Sequence, residues 1–240
     1  MEFAEFKDTL QKEAKKIKVI VTDEKAEKLY NYMLSLLEWN KKINLTAITE
    51  PNDVILKHFV DSFTIHDYIK KDAKMIDVGT GAGFPGVPLA ILRDDIRVTL
   101  IDSLQKRINF LNEVITTLGL QNVEAIHTRA EDLAQNEKYR EQYDVVTSRA
   151  VANMSTLLEY MLPFSKVEGV CVCMKGSNVE EELAAAEKAA RVLGGRLEKR
   201  EEFFLSNQDN KRNIIIIRKI SNTPKGYPRG QGKPAKMPIS

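Results

Sequence analysis

The chain has 240 residues, a formal net charge of +2, 43% hydrophobic and 29% charged residues. This is the balance of a globular protein long enough to bury one sizeable core, and so small a net charge does not by itself indicate nucleic acid. No apolar run approaches the roughly 20 residues of a membrane helix, and Met1-Glu2-Phe3-Ala4-Glu5 begins no secretory signal, so the expected location is cytoplasmic, with no membrane partner. Residues 1 to about 70 read as helical. Phe3, Phe6, Leu10, Ala14 and Ile17 step by three and four along one stripe. Thr22 is placed to cap a second helix, whose inner face reads as Ala26, Leu29, Tyr30, Met33, Leu37 and Asn40. A polar break over 39–46 follows. Thr49 and Pro51 then restart a helix carrying His58, Asp61 and Ser62 on one face.

From about residue 73 short β-branched runs alternate with amphipathic helical segments, the pattern of a parallel sheet with crossover helices. Strands are expected near 73–78, 96–101, 122–127, 143–148 and 167–174, with helices between them. The helix after Ser103 shows Leu104, Ile108, Leu111, Ile115 and Leu118, with Gly119 suited to its end. A helix at about 178–193 ends in Gly194-Gly195. Two further strands near 196–205 and 212–220 follow without a helix, so they should pair as an antiparallel hairpin at the sheet edge. Cys171 and Cys173 fall inside the fifth strand, too near in sequence for an easy disulfide and without a second Cys/His pair for zinc. They read as buried structural thiols, and no metal is expected. From Lys211 onward there are eight Lys/Arg and no Asp or Glu, and half of the prolines lie beyond residue 223. Residues 221–240 read as an irregular basic tail with little to bury. The organisation is thus a helical appendage (1–70), an α/β Rossmann-like domain (71–220) and the tail. Five parallel strands and a closing hairpin resemble the seven-stranded sheet of class I S-adenosylmethionine-dependent methyltransferases.

Met75-Ile76-Asp77-Val78-Gly79-Thr80-Gly81-Ala82-Gly83-Phe84-Pro85-Gly86 supplies the first glycines of the chain, four within eight residues. A strand, a glycine-rich turn and a helix start form the nucleotide-cofactor corner of such a sheet. Asp77 would repel a pyrophosphate and suit the ammonium and sulfonium of S-adenosylmethionine. Phe84 stands where a dinucleotide fingerprint needs glycine, and Pro85 and Pro88 remove donors that a phosphate would want. Asp102 ends the second strand at the position of a ribose-binding acid, with Ser103 and Leu104 to line ribose and adenine; its other reading is a helix cap. Ala130 and Glu131 follow the third strand, where an amide and an acid can meet adenine, or merely start the next helix. Arg149 ends the fourth strand, in the crevice where open sheets bind ligands. It can hold a cofactor carboxylate, a phosphate or a guanine edge, or be paired to Asp77 or Glu131.

The end of the fourth strand, Ser148-Arg149-Ala150-Val151, lacks the Asn/Asp-Pro-Pro-aromatic signature of exocyclic amine methylation. Neither cysteine stands where C5 methylation of a pyrimidine needs its nucleophile. Lys175 alone does not complete a ribose-methylating set. A ring nitrogen such as guanine N7 needs no base, so no catalytic acid or base is nominated.

The chain resembles the RsmG family (glucose-inhibited division protein B), 16S rRNA N7-guanine methyltransferases. The likeness runs through Trp39-Asn40, Asn44-Leu45-Thr46, His58 with Asp61-Ser62, the loop from Asp77 to Gly86, Arg129-Ala130-Glu131, Ser148-Arg149-Ala150, Lys175-Gly176, Tyr227-Pro228-Arg229 and Pro234. The resemblance implies S-adenosylmethionine contacts at Gly79, Phe84, Ala130, Glu131 and Arg149, and methylation of one guanine in the 16S rRNA of the small ribosomal subunit; a monomer is expected. Gly226 and Gly230 stand where the family pattern has lysines, which lowers the tail's charge for RNA phosphates. His58, Asp61 and Asn44 read either as an RNA contact or as a polar network fixing the appendage. His66 and His127 have no partner cluster. Two other functions fit the residues: methylation of a small molecule, and a non-enzymatic RNA-binding assembly factor. An NAD-linked oxidoreductase is disfavoured by Asp77.

Overall fold

The structure, a computed structural model, describes residues 1–149, 152–176, 179–205 and 211–239. Ala150 and Val151 of the motif above lie outside them. Two helices open the chain, α1 (Phe3–Lys16) and α2 (Asp23–Asn40). The Thr22 side chain accepts from the Lys25 amide, as a cap should. After an irregular stretch, α3 (Pro51–Val54), a π-helical turn over Ile55–Val60 and α4 (Asp61–Phe63) run on as one helix. The π-helical turn was not foreseeable from spacing; such turns often occur at functional sites.

Then come β1 (Lys74–Val78), α5 (Gly86–Leu92), β2 (Arg97–Asp102), α6 (Gln105–Thr117), β3 (Val123–His127), α7 (Ala130–Leu133) and β4 (Tyr143–Arg149). The chain continues through α8 (Met154–Met161), β5 (Ser165–Lys175), α9 (Glu180–Val192), β6 (Gly195–Phe204), β7 (Lys211–Lys219) and a last turn, α10 (Lys233–Lys236). The seven strands lie in the order β3-β2-β1-β4-β5-β7-β6. All neighbours are parallel except β5/β7 and β6/β7, which are antiparallel. Strand order reverses between β1 and β4, which opens a crevice at their carboxyl ends.

Alternate residues of each inner strand enter two cores, one on each side of the sheet. Val170, Val172 and Met174 of β5, with Ile214 and Ile216 of β7, join one cluster. Cys171, Cys173, Ile215 and Ile217 join the other, so both thiols are buried inside the fifth strand and unpaired. The first cluster also contains Phe6, Leu10, Leu29, Tyr32 and Phe59. Residues 1–70 therefore cover one face of the sheet and share its core. The inner face of α2 is rotated from the expected one. Tyr32 and Leu36 are buried, while Tyr30 and Leu37 are half-buried. Tyr32 packs against the rings of Phe59, Phe84 and Phe110, and its hydroxyl donates to the Ala82 carbonyl of the glycine loop.

The tail also departs from expectation. Its backbone is irregular up to α10, but Thr223, Pro228 and Pro234 are buried. Arg140 donates to the carbonyls of Thr223 and Tyr227, each at 2.9 Å. The prolines and glycines that prevent regular structure do not prevent packing.

Removing the Tyr32 hydroxyl (Tyr32→Phe) strands a buried carbonyl and is expected to cost about 1–2 kcal/mol. Tyr32→Ala, which also empties a ring-sized space, should cost about 3–5 kcal/mol. Urea denaturation followed by circular dichroism measures both, and a Tyr32→Ala protein as stable as the wild type would contradict a core shared between the helices and the sheet.

Candidate functional site

Gly79, Gly81 and Gly83 have φ of +68°, +63° and +99°, a backbone path that side chains rarely allow. Gly83 has no room either, since a Cβ there would lie 2.7 Å from the Tyr32 hydroxyl. The loop wraps around two carboxylates. Asp77 Oδ2 accepts from the Thr80 hydroxyl at 2.7 Å and from the Gly86 amide at 2.9 Å. Asp102 Oδ2 accepts from the Gly81 amide at 3.0 Å, and its Oδ1 accepts from the Leu104 amide at 2.9 Å. Arg107 adds an ion pair to Asp102 at 3.1 Å. The amides of Gly79 and Thr80 donate to the Ile101 carbonyl, and those of Gly83 and Phe84 to the Thr80 carbonyl. Six loop amides thus already have acceptors within the chain, and the loop offers no ring of free donors for a phosphate.

Asp77 is fully buried. Its pKa is raised from 3.8 to about 6, chiefly by loss of water and against the hydrogen bonds from Thr80 and Gly86. Its Oδ1 has no partner among the described residues. A buried, unbalanced carboxylate beneath the loop favours a cation there.

Three cavities follow one another along the carboxyl edge of the sheet. The first, of about 340 Å³, is lined by Gly79, Asp102, Ser103, Ala130, Glu131 and Tyr160, with Gly232 and Ala235 from the tail. The second, of about 450 Å³, shares Gly79, Asp102 and Ser103 and adds Thr80, Phe84 and Arg149, among others. The third, of about 270 Å³, shares His58 and Arg149 with the second and adds Lys57, Asp61, Met174, Lys175 and Arg212. A larger cavity of about 850 Å³ lies at the opposite ends of β1, β2 and β3, among Lys74, Arg97 and Val123. We discount it as the site, because open α/β sheets bind ligands at the carboxyl ends of their strands.

Arg149 stands between the second and third cavities. Its guanidinium donates to Asp61 Oδ2 and to His58 Nδ1, each at 3.0 Å, and to the Lys57 carbonyl at 3.1 Å. It lies over the Phe84 ring, 4.9 Å from its centre. Asp61 also accepts from Arg212 Nε at 3.0 Å. The His58 ring stacks on Phe84 at 4.2 Å, and its pKa falls to about 3 because burial and the Arg149 charge oppose protonation. Since Arg149 can only donate, His58 Nδ1 accepts and Nε2 carries the proton toward the Thr46 hydroxyl, 2.9 Å away.

Seven of the eight expected site residues thus line the first two cavities. Leu104 does not: its side chain is 52% exposed, and it meets the site only through its amide. Arg149 is paired with Asp61, and neither Asp77 nor Glu131 is its ion partner. His58 and Asp61 do form a network with the sheet, whereas Asn44 is exposed and Asn40 ties the 41–46 turn instead. His66 bonds to the Phe63 carbonyl and His127 to the Ser103 carbonyl. Lys175 is held by the Ala152 carbonyl at 2.7 Å and by Glu182. Sequence reasoning missed Tyr160, Gly232, Ala235 and Arg212. Only Arg212, a cation opening an isoleucine strand, carried any signal. Among the described residues no group of His, Cys, Asp or Glu could hold a metal, and no helix is long and apolar enough to cross a membrane.

Residues 25–215 match the family model described as GidB, rRNA small subunit methyltransferase G. The chain is 50% identical over 237 residues to Ribosomal RNA small subunit methyltransferase G of Alkaliphilus oremlandii, covering 98% of this chain and 99% of that one. It is 47% identical to the protein of that name from Clostridium novyi, covering 98% and 97%. Among solved structures it is similar to M. jannaschii TYW2 in complex with AdoMet (TM-score 0.54, 17% identity, 67% of this chain and 75% of that one). It is also similar to a SAM-dependent methyltransferase from Aquifex aeolicus (TM-score 0.53, 18% identity, 75% and 97%). Likeness at such low identity shows the fold: the α/β methyltransferase sheet with its closing hairpin.

The raised pKa of Asp77 gives a pH signature. Its neutral form is favoured in the folded protein, so its stabilising contribution is complete below pH 3.8 and is lost as pH rises through about 6. Asparagine keeps the two accepted bonds and never ionises. Between acid and neutral pH the stability of Asp77→Asn relative to wild type, without ligand, is expected to improve by about 3 kcal/mol. Guanidinium denaturation of both proteins across that range measures it, and parallel stability curves would contradict the buried charge.

Proposed function

The chain belongs to the GidB family, rRNA small subunit methyltransferase G, and on that premise we propose that it methylates N7 of one guanine in 16S rRNA of the small ribosomal subunit, using S-adenosylmethionine. The observation that carries this reading is the position of Arg149, which lines both the cavity beside the glycine loop and the third cavity, with its cationic lining. When bound, the cofactor supplies a methyl group on a sulfonium, which the in-plane lone pair of guanine N7 can take without losing a proton.

The residues present fit the cofactor. Asp102 and Glu131, on one cavity, offer carboxylate oxygens to ribose hydroxyls and adenine. Gly79, Thr80 and Phe84 line the second cavity, and Asp77, buried behind Thr80 and Gly86, places negative charge behind this wall, which suits an ammonium group. The occupied amides of the loop argue against a pyrophosphate. Leu104 keeps a role only through its amide, which orients Asp102.

The third cavity suits the nucleotide. Lys57, Arg149, Lys175 and Arg212 line it with Asp61; counting Asp53, which pairs with Lys57, and Glu182, which pairs with Lys175, four cations face three carboxylates, and the remaining positive charge suits a phosphate. Met174 and Ile48 give the same cavity apolar surface for a base. His58 has both ring nitrogens engaged and stays neutral, so it orients Arg149 and leaves proton transfer out of the chemistry. Catalysis then rests on alignment of N7 with the methyl group. Each cavity is complete within one chain, which supports a monomer, and an rRNA substrate supports work in the cytoplasm.

Labelled methyl transfer to small subunits that lack the mark should yield 7-methylguanosine after digestion to nucleosides; another methylated nucleoside would overturn the assignment. Affinity for S-adenosylhomocysteine, read by calorimetry, should weaken as pH falls through about 6, because Asp77 loses the charge that attracts the ammonium. The same titration on Asp77→Asn should be flat, and a flat wild-type profile would remove Asp77 from cofactor recognition.

A further inference from the structure

The C-terminal segment has the chemistry of a tail for RNA but the contacts of a wall. Of its cations, Arg229 is committed to Glu159. Its Nε donates to Oε1 at 2.9 Å, a terminal nitrogen donates to Oε2 at 2.7 Å, and its amide donates to Oε1 at 2.8 Å. Glu159 is fully buried on α8 and has no other hydrogen-bond partner among the described residues. A buried carboxylate neutralised from one side only holds its partner firmly. Thr156, also on α8, donates to the Pro234 carbonyl at 2.9 Å, and Gln135 donates to the Pro228 carbonyl at 2.9 Å. Arg229 further donates to the Met237 carbonyl at 2.8 Å, which closes the segment on itself.

These anchors set Gly232 and Ala235 in the lining of the first cavity, together with Asp102, Ala130, Glu131 and Tyr160. Tyr160 follows Glu159 directly on α8, so the residue that fastens the segment adjoins one that lines the cavity. We propose that residues 229–237 form part of the nucleoside-binding cavity and determine cofactor affinity, independently of any contact with RNA. The proposal rests on the reading of this cavity as the nucleoside end of the S-adenosylmethionine site. Lys225, Lys233 and Lys236 are exposed and have no ion pair among the described residues, so the outer side of the same wall remains free for phosphates.

Calorimetry with S-adenosylhomocysteine and no RNA separates the possibilities. Two variants are compared with the full chain: one ending at Gln231, and Ala235→Trp, which enlarges an exposed methyl group at the cavity rim. The full chain should bind, and failure to bind would overturn the cofactor reading itself. Given binding, the shortened chain should lose about tenfold or more in affinity, and Ala235→Trp should shift affinity by about fivefold or more in either direction, since the altered residue meets the ligand. Should the shortened chain fail to fold, Ala235→Trp alone decides. Wild-type affinity in a folded Ala235→Trp protein would overturn the proposal and return the segment to a role with RNA.

Discussion

Two buried carboxylates at the ends of adjacent strands hold the glycine loop in shape. Asp77 stands one residue before the end of β1 and Asp102 closes β2, and the parallel pairing of these strands brings both to the same edge of the sheet. Between them they accept the amides of Gly81, Gly86 and Leu104 and the hydroxyl of Thr80. Without those acceptors the loop would present buried donors with nowhere to go, a costly state in a dry interior. Three glycines supply the positive φ values that the path demands. The arrangement has a chemical consequence: a loop whose amides serve the protein cannot also serve a phosphate, and its surplus negative charge favours a cation.

The loop also joins the helical region to the sheet. Tyr32 reaches it from α2 through Ala82, and Phe84 leaves it to lie beneath His58 and Arg149. Asp61 then bridges Arg149 of β4 and Arg212 of β7. One carboxylate facing two guanidiniums leaves net positive charge, and loss of Asp61 would leave two half-buried cations without compensation. The helices before residue 70 thus orient the arginine that stands between two cavities, while their apolar faces complete one of the two cores. A change on α2 can therefore reach the site through packing alone.

The chain from Lys211 onward, β7 and the tail together, shows how charge count and charge availability differ. Eight cations follow residue 210. Lys211, Arg212, Arg218, Lys219 and Arg229 are each paired with a carboxylate from another part of the chain. Glu198 and Glu202 come from the paired strand β6, but Asp61, Glu141 and Glu159 come from segments far away in sequence, so no local inspection reveals them.

Much of the fold was legible in the chain because it depends on local periodicity. The seven strands, the capped α2, the glycine end of α6 and the closing hairpin all follow from alternation, helical spacing and turn residues acting over a few positions. The glycine loop was legible for the same reason, since glycine and acid at short spacing state a backbone path and a charge. The rotation of α2 that buries Tyr32, the Asp61 bridge and the seating of Gly232 and Ala235 were not. Each is a contact across 50 or more residues, selected by how finished elements pack. The sequence by itself determined the sheet, the loop and the sign of the charge beneath it, because these are properties of neighbouring residues. Only the tertiary structure decided what Arg149 pairs with and what walls the cavity of Asp102 and Glu131, because a long side chain or an irregular segment takes the partner that folding brings within reach.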